Sequence, residues 1–282
     1  MEAMKLVATI APRASVREIT AAGGGQRNRV FRLIEETGRA SVIKIYATPG
    51  RERRERHALE ALAGIEGVPQ LIDRGVTPDG TAWAQLTDGG GWSLRSMTKN
   101  LDVLTRAGKV LRLVHDSSGS ITNLEGGMDG DYIISHYRST IDRLGRFRRK
   151  LQIPPEVLDM ALNAPPPASS TPGTAHTHPT PDKFLVSETG EVMLVDWEWA
   201  TLAPPEWDVS LATWAIGRIH DDDAVKAFLD GYGGNMPRSR LESWTGYHAA
   251  MRLLEAGESR DGRLADLAGT VDALARAVGA RT

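Results

Sequence analysis

At Asp88-Gly89-Gly90-Gly91 the chain changes its hydrophobic period. Ahead of this point, Val30–Ile34, Ser41–Tyr46, Gln70–Val76 and Ala82–Thr87 read as short strands, turned by Thr37-Gly38 and Pro78-Asp79-Gly80. One charged segment among them, Arg51–Ala63, places Ala58, Leu59 and Leu62 at helical spacing, with Gly64 as its stop. Behind the glycines the pattern is helical: Leu101–Asp116, Tyr132–Leu151, Pro155–Leu162, Val209–Ile219, Ala224–Tyr232, Arg240–Glu255 and Leu264–Ala280. Two segments break it. Ala164–Gly173 is proline-rich and reads as a loop. Phe184–Val186 and Val192–Val195 form a β pair around Thr189-Gly190. The expected class is α+β, and the lobe boundary falls at the glycine run.

A chain of 282 residues has room for two joined lobes, and 41% apolar with 25% charged residues suits a soluble globular protein. The net charge of −2 argues against nucleic-acid and membrane partners. No apolar run reaches the roughly 18–20 residues that span a bilayer. Met1–Ile10 is too short for a signal core, so the expected address is the cytoplasm. The chain has no cysteine, which excludes disulfides, thiolate nucleophiles and cysteine-based zinc sites.

Several residues could carry chemistry. Lys44 sits inside an apolar strand, where a buried ammonium costs several kcal/mol unless paired. Either this is an edge strand with Lys44 in water, or Glu52, Glu55 or Glu60 of the next helix meets it. Gly23-Gly24-Gly25 could bring backbone N–H groups to a phosphate or merely close a hairpin, with Asn28 adding a contact or completing the turn. Asp196 ends an apolar strand, a position that suits a metal ligand or a cap. His176–Lys183 is too polar and proline-broken for core and reads as a fixed, functional loop.

In this order the pieces resemble the aminoglycoside phosphotransferase and choline kinase branch of the kinase-like proteins, over nearly the whole chain. The resemblance implies a two-lobed protein-kinase-like fold. Residues 1–87 would form an antiparallel sheet with one helix, 88–92 a hinge, and 93–282 a mainly helical lobe. Lys44 is similar to the strand lysine that holds nucleotide phosphates, and Glu55 to its helix partner. Gly24, Gly25 and Asn28 would border the phosphates, and Leu86 and Asp88 would belong to the adenine-clasping hinge. Leu111–His115 resembles the family's Leu-x-x-Leu-His helix end. Val195-Asp196-Trp197-Glu198 resembles its Ile-Asp-Trp-Glu block, in which the Asp chelates Mg²⁺, and Asp208 is the aspartate that follows.

The catalytic loop departs from the family. Aligned on Phe184-Leu185-Val186, His176 falls on the family His and Thr177 on its Gly. His178 falls on the catalytic Asp, and Lys183 on the metal-binding Asn. A neutral histidine can accept a hydroxyl proton. A protonated lysine cannot ligate a metal; it either neutralises phosphate charge itself or rejects a metal. Asp196 remains as metal ligand, with Asp182 as helper. A transition-metal site of His176, His178 and Asp196 is a competing reading.

Other features read more simply. Arg143, Arg146, Arg148, Arg149 and Lys150 are a solvated helix face or a landing site for an acidic or phosphorylated partner. Asp221-Asp222-Asp223 starts a helix. Trp197, Trp199, Trp207 and Trp214 are expected in the core. Two functions follow from the resemblance. One is an ATP- or GTP-dependent, Mg²⁺-assisted phosphotransferase acting on a hydroxyl of a small molecule or peptide. The other is a pseudokinase, a nucleotide-binding or structural partner within a biosynthetic complex.

Overall fold

The computed structural model describes residues 16–21 (backbone only), 28–117, 127–259 and 266–279. Val16–Ala21 (β1), Arg29–Glu35 (β2), Ala40–Ile45 (β3), Leu71–Val76 (β4) and Ala82–Thr87 (β5) form an antiparallel sheet. Its order is β1-β2-β3-β5-β4. β3 is therefore central, and the edge-strand reading of Lys44 is overturned. A central strand is covered on both faces, so Ile43 and Ile45 are buried and Lys44 is buried with them.

Pro49–Ala61 (α1) carries a proline in its first turn, where no N–H is missed. It buries Glu55, Ala58 and Leu59. Arg56 pairs along the helix with both Glu52 and Glu60, which removes those two carboxylates from Lys44.

After the glycine run come Trp92–Ser93 (β6) and Leu101–Asp116 (α2), whose N-terminus is capped by the Asn100 side chain accepting from the Asp102 and Val103 N–H groups. Gly130–Leu144 (α3) and Pro155–Asn163 (α4) follow. The helix expected to reach Leu151 stops at Leu144. There Gly145 opens a 3₁₀ turn, and Gln152 takes a left-handed φ of 54°. The basic cluster is thus not one helix face. Arg143 pairs with Glu258, and Lys150 donates to the carbonyls of Gly257 (2.7 Å) and Ser259 (2.9 Å).

Gly173–Ala175 (β7), Phe184–Val186 (β8), Val192–Leu194 (β9) and Thr201–Ala203 (β10) make short antiparallel ladders, β6-β8-β9 and β7-β10. The proline-rich segment ahead of β7 is docked: Trp244 donates to Ala168 O (3.0 Å) and Ser170 to Glu206 (2.5 Å). Pro205–Gly217 (α5), Asp222–Tyr232 (α6), Arg238–Glu258 (α7) and Leu267–Ala277 (α8) complete the described chain. Asp221 caps α6 through the Ala224 N–H.

Two cores hold this together. One joins α1, β5, α2, β8, β9 and α6 around Leu59, Leu86, Leu111, Phe184 and Phe228. The other joins α3, α4, α7 and α8 around Tyr137, Trp207, Trp244 and Tyr247. Among the described residues, no helix is long and apolar enough to cross a membrane.

Candidate functional site

The central strand aims Lys44 at the large lobe. Its Nζ lies 2.7 Å from Glu55 Oε2 on α1 and 2.5 Å from Asp196 Oδ1 just beyond β9. The second oxygen of Asp196, Oδ2, receives Lys183 Nζ at 2.6 Å. Asp196 takes a left-handed φ of 75°, which costs a residue with a side chain roughly 1–2 kcal/mol. Its neighbours impose that turn: Val195 N–H bonds to Lys183 O (2.9 Å), and Trp197 N–H to Glu55 Oε1 (3.1 Å).

Glu198 completes the group. Arg51 reaches its Oε1 at 2.7 Å, and the Asn28 amide bonds its Oε2. Asn28 in turn accepts from the Ala47 N–H at 3.0 Å. Glu55, Asp196 and Glu198 each bring an oxygen within 4.8 Å of the others. That spacing could suit a cation, but each of the six oxygens already faces an ammonium, a guanidinium or an N–H. Three carboxylates balance Lys44, Lys183 and Arg51. As arranged, a divalent ion would enter only if Lys183 or Arg51 withdrew.

Burial disfavours charge on Lys44, Asp196 and Lys183, and the partners decide the outcome. For Lys44, Glu55 and Asp196 outweigh burial and hold its pKa above the ordinary lysine value. Burial likewise opposes charge on Asp196, but Lys44 and Lys183 outweigh it and hold the carboxyl far below the usual range. Lys183 is raised, burial being overcome by Asp196 and then Asp182. All three stay charged at neutral pH.

The His176–Lys183 loop is clamped by a buried carboxylate. The fully buried Asp208, in the first turn of α5, accepts from the N–H groups of His176 (2.7 Å) and Thr177 (2.8 Å). Its Oδ2 also lies 3.2 Å from His115 Nε2. Thr177 has a left-handed φ of 64°; it is held by its hydroxyl on Trp199 O (2.9 Å) and by Trp207 Nε1 on its own carbonyl (3.0 Å). His176 Nδ1 accepts from the His178 N–H (3.3 Å), which assigns the proton to Nε2, 2.9 Å from Val195 O. Burial pushes its pKa down to about 4.

With both His176 nitrogens engaged, the transition-metal reading fails. His178 is left exposed. The surrounding protein, then Arg252 and Lys183, disfavours its protonation, so its ring is neutral at pH 7.

The other expected residues are placed as follows. Leu86 is buried in β5, paired with Val42 and Leu71. Asp88 takes Arg32 at 2.6 Å and the Gly90 N–H at 3.2 Å. Asp182 is exposed, 3.5 Å from Lys183, and stands outside the carboxylate group. Gly24 and Gly25 lie outside the described residues. Trp197 and Trp207 are buried as expected, but Trp199 is 45% exposed, with Arg51 stacked 4.5 Å from its ring. Arg51 and the role of Glu198 were not foreseen. The arginine-rich start of α1 gives no pattern that singles out Arg51. Asp208 stood in the motif without a task.

The model of the phosphotransferase enzyme family matches residues 18–242. No curated protein matches the chain by sequence. Solved structures share its architecture at low identity. A mutant aminoglycoside 2'-phosphotransferase-IIIa in complex with GDP is 15% identical with a TM-score of 0.68, covering 99% of this chain and 94% of that one. The macrolide 2'-phosphotransferase MphH of Brachybacterium faecium is 19% identical, also with a TM-score of 0.68, covering 97% and 98%. A choline/ethanolamine kinase family protein of Mesorhizobium loti is 20% identical with a TM-score of 0.60, covering 99% and 93%. A family model spanning most of the sequence, and a kinase-like fold around the Lys44–Glu55–Asp196 group, make this chain a member of the phosphotransferase enzyme family.

Proposed function

We propose that the protein transfers the γ-phosphate of ATP or GTP to a hydroxyl of a small molecule or peptide, with Lys183 doing part of the work usual for a metal ion. The observation that carries this reading is the row Lys44–Asp196–Lys183, two ammoniums joined through one carboxylate across the cleft. On arrival of a triphosphate, the two ammoniums exchange Asp196 for phosphate oxygens. Phosphoryl transfer is limited by positioning and charge neutralisation, which fixed cations can supply. The attacking hydroxyl oxygen bonds to the γ-phosphorus, the bond to the β–γ bridging oxygen breaks, and the hydroxyl proton passes to the neutral ring of His178. His176 and Asp208 position that ring. We place the hinge at residues 88–92, between the small lobe (1–87) and the large lobe (93–282), with Leu86 and Asp88 bordering the nucleotide base.

A second reading, a pseudokinase that binds nucleotide without turnover, draws on a different observation. Both Asp196 oxygens are already neutralised, and the carboxylate expected at position 178 is a histidine. Phosphate release from ATP separates the two. Transfer chemistry predicts slow release that falls about 100-fold or more in His178→Ala, while the ATP-induced thermal shift survives. A thermal shift with no release above the buffer rate in the wild type selects the pseudokinase. No thermal shift with ATP or GTP, with or without Mg²⁺, would sink both.

A further inference from the structure

A seam of side chains leads away from the catalytic loop between α5 and α7. On α5 it runs through Trp207, Ser210 and Trp214, at three- and four-residue spacing, and on α7 through Trp244, His248 and Arg252, at four-residue spacing. Trp207 begins it, with its Nε1 on Thr177 O and its ring 4.9 Å from that of His248. His248 Nε2 lies 3.1 Å from Ser210 Oγ. One helical turn on, Arg252 lies over the Trp214 ring at 5.9 Å, and Arg218 lies over the same ring at 5.2 Å.

The two arginines differ in what holds them. Arg218 is paired with Asp266 at 2.8 Å. Arg252 is half-buried and, among the described residues, has neither a hydrogen bond nor a carboxylate partner. A guanidinium carries five donors in a fork that matches carboxylate and phosphate, so one left open beside a reactive loop is poised for an anion. Its charge bears on both His178 and His248 and lowers their pKa values. Lys183, the other cation near His178, is already committed to Asp196. A polycationic acceptor would bring like charge to this wall. An anionic one would find an open partner.

We infer that the acceptor carries a phosphate or carboxylate in addition to its hydroxyl, and that Arg252 holds that group on the Trp214 wall. This inference rests on the phosphotransfer reading. It is tested by calorimetric titration of ATP-saturated protein with sn-glycerol 3-phosphate, D-glycerate, glycerol and kanamycin. The expected result is saturable binding of at least one of the two anions, about tenfold or more tighter than glycerol. That binding should fall about tenfold or more in Arg252→Ala and partly recover in Arg252→Lys, with the ATP thermal shift unchanged in both. The better of the two anions tells phosphate from carboxylate. Equal anion binding by the wild type and Arg252→Ala, no anion binding, or preference for kanamycin would overturn the inference. Should Arg252→Ala fail to fold, Arg252→Gln decides by the same criteria. Absence of any ATP shift in the wild type would instead strike the phosphotransfer reading itself.

Discussion

Both oxygens of the buried Asp208 are spent on the backbone that presents His178, and one also meets His115. Removing this carboxylate strands three donors away from water. Asp208→Ala should therefore destabilise the protein by about 3–5 kcal/mol in urea unfolding, and a loss under 1 kcal/mol would deny Asp208 its clamping role. The buried histidines make a second prediction. His176 and His248 have pKa values pushed down to about 4 from 6.5, chiefly by burial. Below pH 6.5 the unfolded chain takes up these protons, while the folded chain does so only near pH 4. Stability should thus fall as pH drops from 6.5 to 4, by up to about 3 kcal/mol per ring. Urea midpoints at pH 7.5 and 5 measure this, and His248→Gln should shrink the difference; a flat profile in the wild type would contradict it. At this scale the sequence marks Lys44 as a charge within an apolar strand, but Glu55 and Asp196 were singled out only by their resemblance to the family's motifs. It hides Arg51 and Arg252, whose meaning depends on which distant side chains surround them.

Between elements, the closest approach joins α2 to α6. A Cβ on Gly108 would lie 2.0 Å from Phe228 O, and one on Gly231 would lie 1.9 Å from Thr105 O. These contacts are backbone, so the helices must separate to admit a methyl group. Gly108→Ala should lower stability by roughly 1–3 kcal/mol in thermal or urea unfolding. Gly130→Ala, at an open position in the first turn of α3, should be neutral or stabilising by about 0.5 kcal/mol. Equal effects of the two would show that α2 and α6 are not held this tightly. Long periodic helices were legible: Leu101–Asp116 runs as its period suggests. The three-residue strands β7 and β10 were not, because so short a ladder exists only through its partner. The early end of α3 was missed because Gly145 and the basic residues after it still fit a helical period.

Across the whole molecule, the lobes share one apolar core and are further fastened by charge. Lys44, Arg51 and Asn28 of the sheet side grip Asp196 and Glu198 of the helical side. The change of period at the glycine run made the succession of strands and then helices readable, and the kinase-like architecture was what the family resemblance implied. The saturation of the carboxylate group was not, because it depends on Lys183 and Arg51 arriving from segments far apart in the chain. The proposal that Lys183 takes the place of a metal beside Asp196 rests on that saturation. Calorimetric titration of ATP into wild-type and Lys183→Asn protein, each with EDTA and with Mg²⁺, tests it. The wild type should bind ATP in EDTA, with Mg²⁺ changing its affinity by less than about threefold, whereas Lys183→Asn should gain about tenfold or more from Mg²⁺. Wild-type binding that requires Mg²⁺, with Lys183→Asn behaving the same, would contradict it.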